Sequence, residues 1–208
     1  MILQAKGITH YYQNDLALDN VDFEARKGEF IAIVGESGSG KSTLLSILSS
    51  LLKPTQGELF FKGTPYQDID NMDAFRQSNI GFIFQFHYLI GYLTLKENIE
   101  LASLNKEAEA LNSLLKRCGI EALMNKYPDQ ISGGQKQRAA IVRALINQPE
   151  IIFADEPTGN LDSTNSQNIH ELFKELSTQG TTLIVATHNQ NLARYADKII
   201  EVKDGKIL

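Results

Sequence analysis

The chain has 208 residues, 42% of them hydrophobic and 22% charged, the size and balance of one soluble globular domain with a sizeable core. A net charge of −5 argues against broad nucleic-acid binding and against electrostatic adhesion to anionic lipid. One cysteine, Cys118, excludes an internal disulfide and fits a reducing cytosol. No apolar run approaches the ~20 residues of a membrane helix, and the start of the chain lacks a signal-peptide layout. If such a protein works at a membrane, another protein must hold it there.

In chain order, Ile2–Thr9 and Leu18–Arg26 read as strands, the second from the alternation of Val21, Phe23 and Ala25. Tyr11 and Tyr12 lie between them with two readings open: half-exposed sheet packing, or a ring stacked on an adenine base. Lys27-Gly28 turns into Phe30–Val34, a short apolar, β-branched run suited to a buried parallel strand. Next comes Gly35-Glu36-Ser37-Gly38-Ser39-Gly40-Lys41-Ser42-Thr43, which fits G-x-x-x-x-G-K-[ST]. Leu44, Leu45, Ile47, Leu48, Leu51 and Leu52 then recur at helical spacing until Pro54 and Gly57. Strand, glycine-rich loop and helix together predict a polyphosphate site. Backbone N–H groups can wrap an anion only where Cβ atoms are absent, as at Gly38 and Gly40, and the helix directs its positive end at the phosphates. Lys41 is placed to reach the β- and γ-phosphates of ATP, and Ser42 to ligate Mg²⁺ through its hydroxyl.

Gly57–Gly63 is the next expected strand, Asp68–Gln77 a short helix, and Ile80–Phe84 a buried strand ending in the polar Gln85, where ligands bind in α/β sheets. From Phe86 to Arg138 the texture turns helical. Thr94 and Glu97 form a capping box opening a helix through Leu101, and Ala108, Leu111, Leu114, Leu115 and Cys118 form an apolar stripe ended by Gly119. Phe86, Tyr88, Leu89, Ile90, Tyr92 and Leu93 crowd the loop beside Gln85. Most suit the core of a helical subdomain, and two or three suit an exposed groove for a partner.

Ile131-Ser132-Gly133-Gly134-Gln135 runs into a helix expected over Lys136–Asn147, a second glycine-led helix start and so a second possible anion site. Ile151–Glu156 is an apolar strand delivering two acids at its carboxyl end. Asp155 can hold the Mg²⁺ hydration shell, and Glu156 can polarise the attacking water. Asn160-Leu161-Asp162 reads as a turn and Ser163 as the cap of a helix carrying Ile169, Leu172, Phe173 and Leu176. Thr181–Ala186 is a further buried strand, with Thr187-His188 at its end. Lys198–Val202, Asp204-Gly205 and Ile207-Leu208 read as a hairpin.

With Gly35–Thr43, Gln85, Ile131–Gln135, Asp155-Glu156, Asn160–Asp162 and His188 in this order, the whole chain resembles an ABC-type ATPase. Phe84-Gln85-Phe86-His87-Tyr88-Leu89 and Ala154–Asp162 look like the lipoprotein-releasing (LolD-type), macrolide-exporter (MacB-type) and FtsE-like branch. The resemblance implies an α/β P-loop NTPase with a mixed, largely parallel core sheet, an N-terminal antiparallel β-subdomain and an inserted α-helical subdomain. Residues 1–85 and 139–208 would form the core with its β-subdomain, and 86–138 the helical subdomain. It implies Tyr12 as the adenine-stacking ring, with Tyr11 as fallback; Gly35 and Ser37–Thr43 around the phosphates; and Ser42, Gln85 and Asp155 around Mg²⁺. Glu156, His188 and Gln85 would carry the catalysis. Ser132, Gly133, Gly134 and Gln135 would grip the γ-phosphate of ATP on a second copy, with Asp162 at that interface. The implied function is a cytoplasmic ATPase subunit, peripheral on the inner face of the cell membrane, docked on a permease near Gln85 and Phe86–Leu93. An FtsE-like regulator of a membrane partner is the alternative. Two positions depart from the usual pattern: Ile131 stands for Leu, and Asn189 for the Asp after the switch histidine.

Overall fold

The computed structural model describes residues 1–104 and 108–208, with the side chains of 105–110 left aside, so Ala108 of the expected stripe lies outside the described side chains. The strands are β1 (Leu3–Tyr12), β2 (Asp15–Ala25), β3 (Phe30–Val34), β4 (Gln56–Phe61), β5 (Thr64–Pro65), β6 (Ile80–Ile83), β7 (Ile151–Asp155), β8 (Thr182–Ala186), β9 (Lys198–Lys203) and β10 (Lys206–Ile207). The helices are α1 (Lys41–Leu48), α2 (Met72–Asn79), α3 (Leu95–Glu100), α4 (Ala108–Cys118), α5 (Gly133–Leu145), α6 (Ser163–Thr178) and α7 (Gln190–Ala193).

Two sheets result. One is antiparallel, in the order β2-β1-β4-β5; the other has six strands, β10-β9-β3-β8-β7-β6, parallel except at the β9–β10 hairpin. The central strands read as unbroken apolar runs because both of their faces are covered. Ile31, Ile33, Ile151, Phe153, Ile184 and Ala186 point to one core, shared with α1 and the antiparallel sheet. Phe30, Ile152, Ala154, Leu183 and Val185 point to the other, shared with α3, α4, α5 and α6. Each fully buried side chain of this size contributes about 1.5–3 kcal/mol, enough to fix the register of strands otherwise free to slip.

Several boundaries differ from the sequence expectation, each for a local reason. β1 continues to Tyr12, because Tyr11 and Tyr12 pair with Leu16 and Asp15 across a tight turn. α1 stops at Leu48, not at Pro54: Ser50 turns left-handed (φ 63°), and the N–H groups of Leu51 and Leu52 both return to the Ser46 carbonyl. The Asp68–Gln77 helix divides into a 3₁₀ turn, Tyr66–Asp68, and α2, whose start is set by Asn71 accepting from the Ala74 N–H at 2.9 Å. α5 begins at Gly133 and ends at Leu145, displaced towards the N-terminus because Ser132 and Gln135 close a capping box. α6 is capped by Asp162, which accepts from the Asn165 N–H at 2.8 Å, and not by Ser163. The Thr94–Glu97 capping box is present as expected. Among the described residues no helix is long and apolar enough to cross a membrane.

Candidate active site

The loop between β3 and α1 is shaped by its glycines. Gly35 has φ 150°, and a Cβ there would stand 2.1 Å from the Val202 carbonyl. Gly40 (φ 108°) is the N-cap of α1, and its Cβ would meet the Ala17 carbonyl at 2.8 Å. Gly38 (φ 81°) faces open space, with nothing within 4 Å. The loop is therefore pressed against protein at its two ends and open at its middle, a cradle rather than a packed turn. Lys41, the first residue of α1, curls across it: its Nζ donates to the carbonyls of Gly35 (2.8 Å) and Glu36 (2.7 Å). No acid occupies the first turn of α1, so the helix start stays electropositive.

Three strand ends face this loop. β6 delivers Gln85, β7 Asp155 and Glu156, and β8 Thr187 and His188. A cavity of about 700 Å³ joins them: it is lined by Tyr12, Gly35, Ser37, Gly38, Gly40–Thr43, Gln85, Asp155, Glu156 and His188, together with Asp15, Leu16, Ala17 and Glu36. Ser39 is buried behind it, its hydroxyl without a hydrogen-bond partner among the described residues.

Burial raises the Asp155 carboxyl above the usual carboxylate range. The Ser42 hydroxyl opposes this by hydrogen bonding, Glu156 adds to it by repulsion, and Lys41 lowers it. A half-dehydrated acid beside a serine hydroxyl and a glutamine amide is a hard-oxygen donor set. It fits Mg²⁺, which keeps waters and takes few protein ligands when phosphates supply the rest. Among the described residues no three His, Cys, Asp or Glu converge, so a dedicated all-protein metal cage is not offered. Because the fold disfavours the charged form, its stability is greatest with Asp155 protonated. That contribution fades as pH rises from the unfolded pKa through the raised folded one. Asp155→Asn should therefore raise the thermal midpoint of the nucleotide-free protein at pH 7 and flatten its pH dependence in the acid range. It should also lose the Mg²⁺ dependence of nucleotide turnover. Melts with and without ATP–Mg²⁺ check both, and a lowered midpoint at neutral pH would refute the burial argument.

Glu156 sits at φ 45°, in the left-handed region that non-glycine residues visit rarely. Its N–H donates to the Ala186 carbonyl at 2.9 Å, fixing the turn against β8. Both carboxylate oxygens are engaged. Thr187 donates its hydroxyl to Oε2 at 3.1 Å, the His188 N–H reaches Oε1 at 2.9 Å, and His188 Nδ1 lies 2.7 Å from the same oxygen. The carboxylate is 14% exposed and the imidazole 78%, so the acid is walled in while the ring fans outward.

The two tyrosines separate clearly. Tyr12 lines the cavity, its ring edge-on to His10 at 4.8 Å and its hydroxyl 3.5 Å from Thr43 Oγ1. Tyr11 does not line the cavity, and its N–H binds Thr55 Oγ1. Tyr12→Ala should weaken ATP binding about tenfold, the scale of one base–aromatic stack, while Tyr11→Ala should leave it unchanged. Titration with a fluorescent ATP analogue distinguishes the two.

Ser132, Gly133, Gly134, Gln135 and Asp162 do not line this cavity. They lie together elsewhere: a Cβ on Gly134 would stand 3.2 Å from the Asn160 carbonyl, so the start of α5 packs on the 160–162 turn. The Ser132 hydroxyl accepts the Gln135 N–H at 3.3 Å, and Asn165 and Arg138 hold Asp162 below the usual carboxylate range. The sequence assigns no site role to Asp15–Ala17, and places Thr187 at its strand end beside His188 without one. The first follow Tyr12 through the β1–β2 turn, and the second immediately precedes His188; adjacency was the available signal for both.

A family model described as ABC transporter matches residues 18–159. Over the whole chain, 43% identity relates it to an uncharacterized ABC transporter ATP-binding protein of Methanocaldococcus jannaschii, covering 98% of that protein. The lipoprotein-releasing system ATP-binding protein LolD of Aquifex aeolicus is 40% identical over the whole chain and 96% of its own length. The macrolide export ATP-binding/permease protein MacB of Hyphomonas neptunium is 41% identical, and the chain spans 34% of its length. Among solved structures, a dimeric bacterial ABC transporter cassette superposes with a TM-score of 0.93 at 40% identity, covering 99% of this chain and 96% of that one. A post-hydrolysis state of that cassette bound to ADP and Pi superposes with a TM-score of 0.92 at the same identity and coverage.

Proposed function

This chain belongs to the ABC transporter family and is an ATPase of that family; on that premise we propose that it is the motor of a two-copy machine, dimerising on ATP and driving a separate permease of the lipoprotein-release or macrolide-export type. The observation that carries the reading is a division of labour. The phosphate loop and three strand ends share one cavity, while Ser132–Gln135 and Asp162 sit outside it. A head-to-tail pair would bring the second group of one copy over the ATP of the other, and the γ-phosphate would supply the affinity difference between closed and open pairs.

In the resulting mechanism Tyr12 stacks on adenine, and Gly35 and Ser37–Thr43 wrap the phosphates, with Lys41 exchanging its grip on the Gly35 and Glu36 carbonyls for the β- and γ-phosphates. Ser42, Asp155 and Gln85 would hold Mg²⁺, which would supply charge neutralisation on the phosphate oxygens. His188 turns to the γ-phosphate, which frees Glu156 Oε1 to orient a water for attack. Ser132 and its neighbours in the second copy close the site and exclude solvent. The helical unit moves together with the unbroken α5, inside which the expected 138/139 boundary falls, and Phe86 (67% exposed), Tyr88 (64%) and Tyr92 (80%) present an apolar face to the permease. The protein is peripheral on the inner face of the membrane through that contact.

Purification of the chain from membranes tests this. A permease retained through the Phe86–Tyr92 loop, lost on Tyr92→Asp with ATPase activity intact, supports it. Purification with no membrane protein under gentle detergent refutes it. A retained partner that gates cell-envelope chemistry without moving cargo would favour the FtsE-like regulator.

A further inference from the structure

One helix carries a side chain that the nucleotide chemistry does not use. α5 packs against β6 on one side and against α3 and α4 on the other, so it belongs to both halves of the molecule. From it Arg143 reaches the loop that follows Gln85: Nη1 donates to the Tyr88 carbonyl at 2.8 Å and Nη2 to the His87 carbonyl at 2.7 Å. Just past the end of α5, the Asn147 amide donates to the carbonyls of Ala102 (2.7 Å) and Gln77 (3.0 Å), and its oxygen accepts the Leu104 N–H at 2.8 Å.

The Arg143 guanidinium is costly where it stands. Burial lowers its pKa from the ordinary value, and no carboxylate pairs with it in any ion pair among the described residues. The carbonyl dipoles of His87 and Tyr88, with the solvent that reaches this half-buried side chain, compensate its charge, where an aliphatic side chain would fill the volume without that penalty. The loop it grips also needs gripping. Tyr88 is left-handed at φ 46°, and the buried Nε2 of His87 has no hydrogen-bond partner among the described residues, so none of these is held through that nitrogen.

We propose that Arg143 is a positioning residue for Gln85: its planar fork fastens the carbonyls of His87 and Tyr88 to α5, so that Gln85 and the Ser132 loop ride on one rigid body. Asn147 is the second fastening, joining the end of that helix to α2 and to the loop after α3. The proposal rests on the catalytic place given to Gln85 above. Lysine keeps the charge but lacks the fork, so it cannot hold both carbonyls in one plane.

The test is a double-mutant cycle on ATP turnover, with nucleotide affinity and thermal midpoint measured on each protein. Arg143→Lys should lower kcat about tenfold or more, since misplacing a catalytic group by a fraction of its reach costs that much, with ATP affinity kept within about twofold. Arg143→Lys in a Gln85→Ala background should slow the enzyme no further, because one residue acts through the other. If the two losses multiply, or Arg143→Lys lowers only the thermal midpoint, this proposal fails while the Gln85 assignment stands. A Gln85→Ala protein with unimpaired turnover removes both. Should Arg143→Lys not fold, Arg143→Gln carries the same cycle, since it removes the half-buried charge and retains a donor.

Discussion

A Glu156→Gln protein should bind ATP as tightly as the wild type, hydrolyse it about 10²–10⁴ times more slowly, and elute as a dimer in ATP. The substitution preserves volume. The amide oxygen can take the place of Oε1 and accept the His188 N–H, while the amide NH2 in the place of Oε2 donates to the Thr187 hydroxyl oxygen, so the left-handed turn at φ 45° and its bond to Ala186 should survive. What disappears is the basic oxygen that would receive a proton from water. With the γ-phosphate uncleaved, the species it holds together accumulates. Sizing chromatography, single-turnover hydrolysis and an ATP titration read the three quantities separately. Turnover at the wild-type rate would remove Glu156 from its role. A protein that binds ATP, fails to cleave it and stays monomeric at high concentration would keep the role and overturn the two-copy site.

The second large effect is the loss of ATP binding in Lys41→Ala. In the structure the Lys41 ammonium bridges two carbonyls of its own loop, at 2.8 and 2.7 Å, and no acid competes for it in the first turn of α1. Hydrogen bonds to charged partners contribute about 1.5–3 kcal/mol each, so losing the contacts to two phosphates should weaken binding by two to four powers of ten, roughly. The variant also leaves the Gly35 and Glu36 carbonyls without their shared donor, and a modest fall in thermal midpoint should accompany the loss. Calorimetric titration with ATP checks the first effect. Affinity within about threefold of the wild type would count against the phosphate-loop assignment.

What the sequence made legible was whatever one residue's neighbours along the chain could specify. Ile151–Asp155 and Thr181–Ala186 were readable as strands because both faces are covered, and a strand covered on both sides has nothing polar to interrupt its run; Ile80–Phe84, at the sheet edge and only half-buried on one face, was readable from its apolar, β-branched and aromatic run alone. The Thr94–Glu97 box was readable because both partners lie within one turn. Less legible was anything decided by geometry across the chain. Asp162 and Ser163 are both good caps, and only the direction of the Asp162 carboxylate towards Asn165 selects the first. Tyr11 and Tyr12 differ by one residue, which in a strand means opposite faces, and of the two only Tyr12 lines the cavity beside the phosphate loop. Thr187 on Glu156 and Arg143 on the His87–Tyr88 carbonyls join residues 31 and at least 55 positions apart, and no local pattern announces them.

The press of Val202 on Gly35 has a consequence for how the protein is made. The Gly205 N–H binds the Ser39 carbonyl at 3.0 Å, its own carbonyl takes the Asp19 N–H at 2.9 Å, and β9 lies in parallel register beside β3. The cradle thus leans on a hairpin that leaves the ribosome after every residue assigned to the nucleotide. A nascent chain halted before residue 198 would hold every residue proposed for the nucleotide yet lack the floor under its phosphate loop, so ATP binding should appear only once that hairpin has emerged.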